Sequence, residues 1–147
     1  MRGLFKRESG FTLLELLIVI VIIGILAVLI VPNLTQGPQR ARDAQRKSDL
    51  RNTKTALETY FNDNNVYPPG SGTSGFAGLA TYLVPSYMKT LPVDPKGGTL
   101  AAPIYQYTAT PASCTTACTS YTLQATLENT KDPQAGAGGV YTVSSVN

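Results

Sequence analysis

Hydrophobic and polar positions divide the chain into three regimes. From Phe11 to Val31 it reads FTLLELLIVIVIIGILAVLIV, 21 residues with a single charge, Glu15. A helix of that length is roughly 31 Å long, enough to cross a hydrocarbon core of about 30 Å. The second regime, Gln39 to Asn62, carries helical periodicity. Leu50, Leu57 and Phe61, with Ala44, Thr53 and Tyr60 alongside, fall near one face. Asp43 with Lys47, and Lys54 with Glu58, are spaced as i,i+4 pairs on the outside. Asn62-Asp63-Asn64-Asn65 ends this helix and Pro68-Pro69 forbids its return. Gly24 within the apolar run and Pro32 just after it weaken that helix, and Gln36-Gly37-Pro38 is a second weak point at which Pro38 starts a renewed helix.

The third regime is loop and strand. Gly, Ser, Pro and Tyr dominate Val66 to Leu100, where Phe76 to Tyr82 reads as a short helix and Leu83 to Tyr87 as a turn or a second short helix. Three β segments close the chain. Ile104 to Thr108 is aromatic and β-branched. Tyr121, Leu123, Ala125 and Leu127 alternate with Thr122, Gln124, Thr126 and Glu128. Val140 to Val143 is the third, reached through the Gly-rich connector Thr130 to Gly139. The alternating strand needs a cover on one face, and the Leu50/Leu57/Phe61 stripe is the obvious partner.

Composition narrows the function. The chain has 147 residues, and only 14% are charged, about half the usual share for soluble proteins. Twelve basic and nine acidic residues leave +3, too little to indicate a nucleic-acid partner from bulk charge. The basic residues from Arg40 to Lys54 read as a solvated face, without the interleaved aromatics of a nucleic-acid platform. The absence of His removes histidine bases, histidine triads and most zinc sites. There is no Gly-x-Ser-x-Gly elbow and no phosphate loop, and the acids beyond the helix are sparse: Asp94, Glu128 and Asp132. No catalytic residue, cofactor or metal is expected.

The apolar run is too long for a secretory h-region and lacks a small-x-small cleavage site after it, so it reads as an uncleaved anchor. Glu15 is the residue that needs explaining. A carboxylate in a membrane span costs about 2.5–3.5 kcal/mol at the centre and less near an end. No Lys or Arg lies within one turn of it on the same side of the span. A cut between Gly10 and Phe11 would create an α-amino group able to pair with it, either in the same helix or on a neighbour. Two helices that satisfied each other in this way would adopt one axial offset.

Gly10-Phe11-Thr12-Leu13-Leu14-Glu15-Leu16, preceded by Lys6-Arg7 and followed by the aliphatic run, resembles the class III signal of type IV pilins and type II secretion pseudopilins. Gly24 and Pro32 match the Gly and Pro of that helix. The resemblance implies cleavage after Gly10 by a prepilin peptidase and N-methylation of Phe11. It also implies storage in the inner membrane, then polymerisation into a helical homo-oligomeric filament by a platform protein and an assembly ATPase, with Glu15, Gly24 and Pro32 serving assembly. The implied fold is α+β and pilin-like: a long N-terminal helix, its hydrophobic half protruding, packed on an antiparallel sheet of about three strands.

The corresponding organisation is a cleaved leader at 1–10, a transmembrane and filament-core half-helix at 11–35, and an amphipathic half at 36–62. A loop with short helices follows at 63–103, then the sheet at 104–147. The resemblance covers the chain in outline and is strong over its first 35 residues. A softer resemblance, to the loop of major pseudopilins, lies in Tyr87 to Pro95 and Tyr105-Gln106-Tyr107; Lys96 and Gly97 depart from that pattern. Some major pseudopilins bind calcium before the last strand. Here Glu128 to Gly139 offers only Glu128, Asp132 and carbonyls, fewer side-chain oxygens than calcium requires.

Cys114 and Cys118 bracket Thr-Thr-Ala in the loop between the first two strands. They read as a local disulfide formed outside the cytoplasm that stiffens a loop tip, with free thiols or a redox site as alternatives. Counting positive charges alone would favour the opposite orientation, because Arg40 to Arg51 outnumber the leader's basic residues. The cysteines and the resemblance place the C-terminal part outside, first in the inner membrane and then in a periplasmic pseudopilus or a cell-surface pilus. The expected function is structural, in secretion, adhesion, motility or DNA uptake. The alternative is a membrane-anchored binding module that does not polymerise.

Overall fold

The computed structural model describes residues 11–97, 104–112 and 114–146, with the side chains of 29–35 left aside. Gly10 lies outside the described residues, as does the Pro32 side chain. The chain divides at Pro38–Gln39 into two units.

One helix, α1 (Leu13–Asn64), runs through both units. Neither Gly24, Pro32 nor Pro38 interrupts it, so the renewed start expected at Pro38 is not needed. It ends two residues later than the sequence suggests. Asn65 adopts a left-handed conformation (φ 58°), and its N–H donates to the Phe61 carbonyl at 2.7 Å, the αL stop for which Asn is suited.

In the second unit, α2 (Gly72–Leu83) follows the loop. Strands β1 (Gln106–Thr110), β2 (Ser120–Thr126) and β3 (Val140–Ser144) then form an antiparallel sheet in the order β1-β2-β3. Tyr107 lies opposite Leu123, which in turn lies opposite Val143. This is the α+β arrangement of a long N-terminal helix and a three-stranded antiparallel sheet.

Two boundaries differ from expectation. β1 begins at Gln106, two residues late, and Ile104 is exposed. Its inward positions are Tyr107 and Ala109, and pairing continues to Thr110 opposite Ser120, where the hairpin loop begins. α2 begins at Gly72, four residues early. Its Gly75 is pressed against β1, where a Cβ would lie 2.7 Å from the Tyr107 carbonyl oxygen and 2.9 Å from the Gly70 carbonyl carbon. The glycines let the helix start against the strand. Leu83 to Tyr87 is a turn, closed by Tyr87 N–H on the Leu83 carbonyl at 2.8 Å.

The core lies between α1, α2 and one face of the sheet. Leu50, Ala56 and Leu57 of α1 meet Phe76, Leu79 and Leu83 of α2 and the inward Tyr107, Tyr121, Leu123 and Ala125. The stripe on α1 includes Thr53 and continues N-terminally through Asp49, Arg46 and Asp43, all buried. Ala44, expected on that face, is exposed instead.

Candidate assembly site

In the first unit the apolar side chains have no protein cover. The large hydrophobic residues from Phe11 to Val28 are all exposed, from 45% at Val19 to 83% at Phe11. A helix apolar on every side needs lipid or other apolar helices around it. Among the described residues no helix is long and apolar enough to cross a membrane. Gly24 has open space where a Cβ would stand.

Glu15 is engaged locally. Its Oε2 accepts from both the backbone N–H and the hydroxyl of Thr12, each at 2.9 Å, and its own N–H donates to Thr12 Oγ1 at 3.2 Å. This reciprocal capping box satisfies orphan donors at the start of α1. The sequence carries the signal for it: Thr12-x-x-Glu15 directly before an apolar run.

The second unit turns part of its charge inward: the solvated face expected for Arg40 to Lys54 holds at the exposed Arg40 and Arg51 but fails at Arg42, Arg46 and Lys47. Arg46, 3% exposed, sends Nε to Asp94 Oδ2 at 2.5 Å and Nη2 to Asp94 Oδ1 at 3.0 Å, while Nη1 reaches Asp43 at 2.8 Å and Glu128 at 3.1 Å. Arg42 grips Glu128 through Nε and Nη2 at 2.6 and 2.7 Å. Asp43 also accepts the backbone N–H groups of Glu128 and Asn129, both at 2.9 Å. The i,i+4 pairs are replaced for the same reason. Lys47 reaches Asp132 at 2.8 Å in place of Asp43, and Glu58 accepts the hydroxyls of Tyr67 and Tyr121, each at 2.8 Å, in place of Lys54. Buried partners prevail because a charge removed from water must be matched with good geometry.

Electrostatics follow this geometry. The Arg42 hydrogen bond holds Glu128 down to about 2, and the Arg46 hydrogen bond holds Asp94 below the usual carboxylate range. The Lys47 hydrogen bond does the same for Asp132. Burial, helped by hydrogen bonds to carboxylates, raises the hydroxyls of Tyr121 on Glu58 and Tyr105 on Asp49. Asp94, Glu128 and Asp132, sparse in the sequence, are thus the three anchors that tie the preceding loop and the β2–β3 connector to α1. Among the described residues no group of three or more His, Cys, Asp or Glu could hold a metal.

Cys114 and Cys118 are joined by a disulfide, with Cα atoms 5.4 Å apart. Cys118 is buried and pairs through its backbone with Tyr67, whose N–H donates to the Cys118 carbonyl at 2.9 Å. One end of the ring is therefore anchored in the core.

A long helix with a bare apolar segment, joined to a small antiparallel sheet, is the architecture of a prepilin-type protein. In agreement with that class, residues 5–31 match the family described as the prokaryotic N-terminal methylation motif. The chain is 41% identical over 101 residues to "Type II secretion system core protein G" of Pectobacterium carotovorum subsp. carotovorum, covering 62% of this chain and 64% of that protein, just under two thirds of its length. The proteins of the same name from Aeromonas hydrophila and Pseudomonas aeruginosa are 42% and 37% identical, covering 63% and 71% of this chain and 70% and 75% of theirs. The chain belongs to the family of type II secretion system core protein G. No solved structure matches it significantly.

Proposed function

We propose that this chain is a structural subunit, a major pseudopilin, that polymerises through its apolar helix into a type II secretion pseudopilus and works by assembly, not catalysis. In this reading the leader at 1–10 is removed after Gly10 by a prepilin peptidase and Phe11 is N-methylated. The processed subunit waits in the inner membrane with its head outside, held there by residues 11–35. A platform protein and an assembly ATPase then pack it with its copies. Glu15 receives the new α-amino group of an adjacent copy while its capping box keeps the carboxylate oriented. Gly24 and Pro32 let the helix adjust in the filament core.

The observation that carries the reading is the bare helix. Every large apolar side chain described from Phe11 to Val28 is exposed, a surface that only lipid or like helices can satisfy. The kinship with core protein G supports the secretion pseudopilus over a surface pilus.

Intact mass of the membrane-extracted protein tests the processing: the expected product lacks residues 1–10 and has gained one methyl group. Glu15→Leu tests the assembly, with insertion and processing kept and filaments lost. A retained Met1, or normal filaments from Glu15→Leu, would overturn the reading.

A further inference from the structure

The second unit (Gln39–Asn147) sorts its charges by sign. Among its described residues Asp63 is the one exposed acid, whereas Arg40, Arg51, Lys89, Lys96 and Lys131 are all exposed. The other acids accept hydrogen bonds from inside the unit: Asp49 and Glu58 from tyrosines, and Asp43, Asp94, Glu128 and Asp132 from α1 cations. Folding therefore leaves a surface more positive than the bulk charge of the sequence indicates.

Three of the exposed cations gather around one stretch of α1, Arg40 to Lys47. Arg40 opens that stretch. Lys131 adjoins Asp132, which accepts from Lys47 at 2.8 Å. Lys96 follows Asp94, the partner of Arg46, and its Nζ lies 3.7 Å from Glu128 Oε2 with the side chain still 64% exposed. The bonds that tie two loops to α1 thus bring a cation from each of three chain segments to the same place. Lys89 and Asp63 lie elsewhere: at the C-terminal end of α1, Tyr87 donates to Asp63 at 3.1 Å and accepts from Asn64 at 3.4 Å.

We propose that this collar of Arg40, Lys96 and Lys131 binds the phosphate groups of an anionic phospholipid surface while the subunit waits in the membrane. Only Thr35 to Gln39 separate Arg40 from Leu34, the last aliphatic residue of the anchor. A bilayer senses Lys and Arg within about 15–20 residues of a span, and each such cation near an anionic surface strengthens binding roughly fivefold. Arg42, Arg46 and Lys47 are already engaged by inward carboxylates, so the contact falls to the collar. A second copy is the poorer occupant, because the one acid it exposes, Asp63, stands at the other end of α1. A nucleic acid is also poorer: Arg40–Lys47, Asp94–Gly97 and Glu128–Asp132 contain no aromatic residue on which a base could stack.

The collar rests on the reading of residues 11–35 as a membrane anchor, and the experiment separates the two. The full-length chain is reconstituted into vesicles of phosphatidylcholine, alone or mixed with phosphatidylglycerol. Its lysines are acetylated with an amine-reactive reagent, and labelling is read site by site by mass spectrometry. In the anionic vesicles labelling of Lys96 and Lys131 should fall several-fold while that of Lys54 and Lys89 stays unchanged. Salt at about 1 M, where the screening length is about 3 Å, should restore it, and Arg40→Gln should weaken the protection roughly fivefold. Absent protection, equal protection of every lysine, or protection indifferent to salt or to Arg40→Gln overturns the collar. So does protection in phosphatidylcholine vesicles given soluble glycerol phosphate or duplex DNA, which would assign the cations to a free anion or to a nucleic acid. Alkaline carbonate extraction of the same vesicles reports the anchor by itself. A chain that stays with the lipid keeps the anchor reading even where the collar falls, and a chain that washes off removes both.

Discussion

Arg46 and Asp94 form a buried two-pronged ion pair across 48 positions of sequence, with the carboxylate fully shielded from solvent and Lys96 N–H adding a third hydrogen bond at 2.8 Å. It fixes the loop around Asp94 to the helix. Removing Arg46 leaves the Asp94 carboxylate buried without its cation, which costs about 3–5 kcal/mol, whereas removing Asp94 leaves Arg46 still paired with Asp43 and Glu128. Arg46→Met is expected to lose that much in denaturant unfolding of the detergent-solubilised chain, and Asp94→Ala less, because Arg46 keeps its other two carboxylates. Arg46→Lys, without the planar fork, should fall between Arg46→Met and the parent.

Acid should loosen the β2–β3 connector. Glu128 is held at about 2 by Arg42, against an ordinary value of 4.5. A carboxylate with a depressed folded-state pKa contributes stability that is fully present above its unfolded value and is lost as pH falls toward the folded one. Stability should therefore decline from about pH 4.5 down to about pH 2, with Asp94 and Asp132, lowered from 3.8, adding to the slope. Unfolding measured across that window should be flatter for Glu128→Gln, which no longer titrates there.

The cysteine ring is small, so its effect on the unfolded chain is limited. Closing a loop of this size removes chain entropy worth about 2 kcal/mol. The double variant Cys114→Ser/Cys118→Ala should unfold earlier by about that amount, with the sheet's circular-dichroism signature unchanged below the transition. Cys118→Ser should be worse than Cys114→Ser, because Cys118 is fully buried and a hydroxyl there lacks water.

Much of this architecture was legible because periodicity reports burial. The alternation from Tyr121 to Leu127 placed β2, and Leu50 and Leu57 marked the covering face of α1. The charged clasp was less legible. Asp43 and Arg46 stand on the same stripe as Leu50, seven and four residues before it. Charged residues in line with a core face were the available signal for buried pairing. Local spacing instead favoured Asp43–Lys47 and Lys54–Glu58, because sequence neighbours reveal nothing of partners 48 to 86 positions away. The start of α2 was hidden for another reason: glycine weakens helix propensity, while its value here is the closeness it allows to β1.

That closeness gives a sharp comparison between two glycines of α2. At Gly75 an added methyl would lie 2.7 Å from the Tyr107 carbonyl oxygen and 2.9 Å from the Gly70 carbonyl carbon, both backbone atoms that cannot swing aside. At Gly78 nothing lies within 4 Å. Gly75→Ala must push α2 off β1, and it threatens the Ala109 N–H bond to the Gly70 carbonyl at 2.9 Å. Overpacking of this kind costs about 1–3 kcal/mol. Gly78→Ala gains helix propensity without a clash and should stabilise by about 0.5–1 kcal/mol. Thermal melts of the two variants should therefore move in opposite directions from the parent. A loss at both positions would mean that α2 does not lie against β1 in this register.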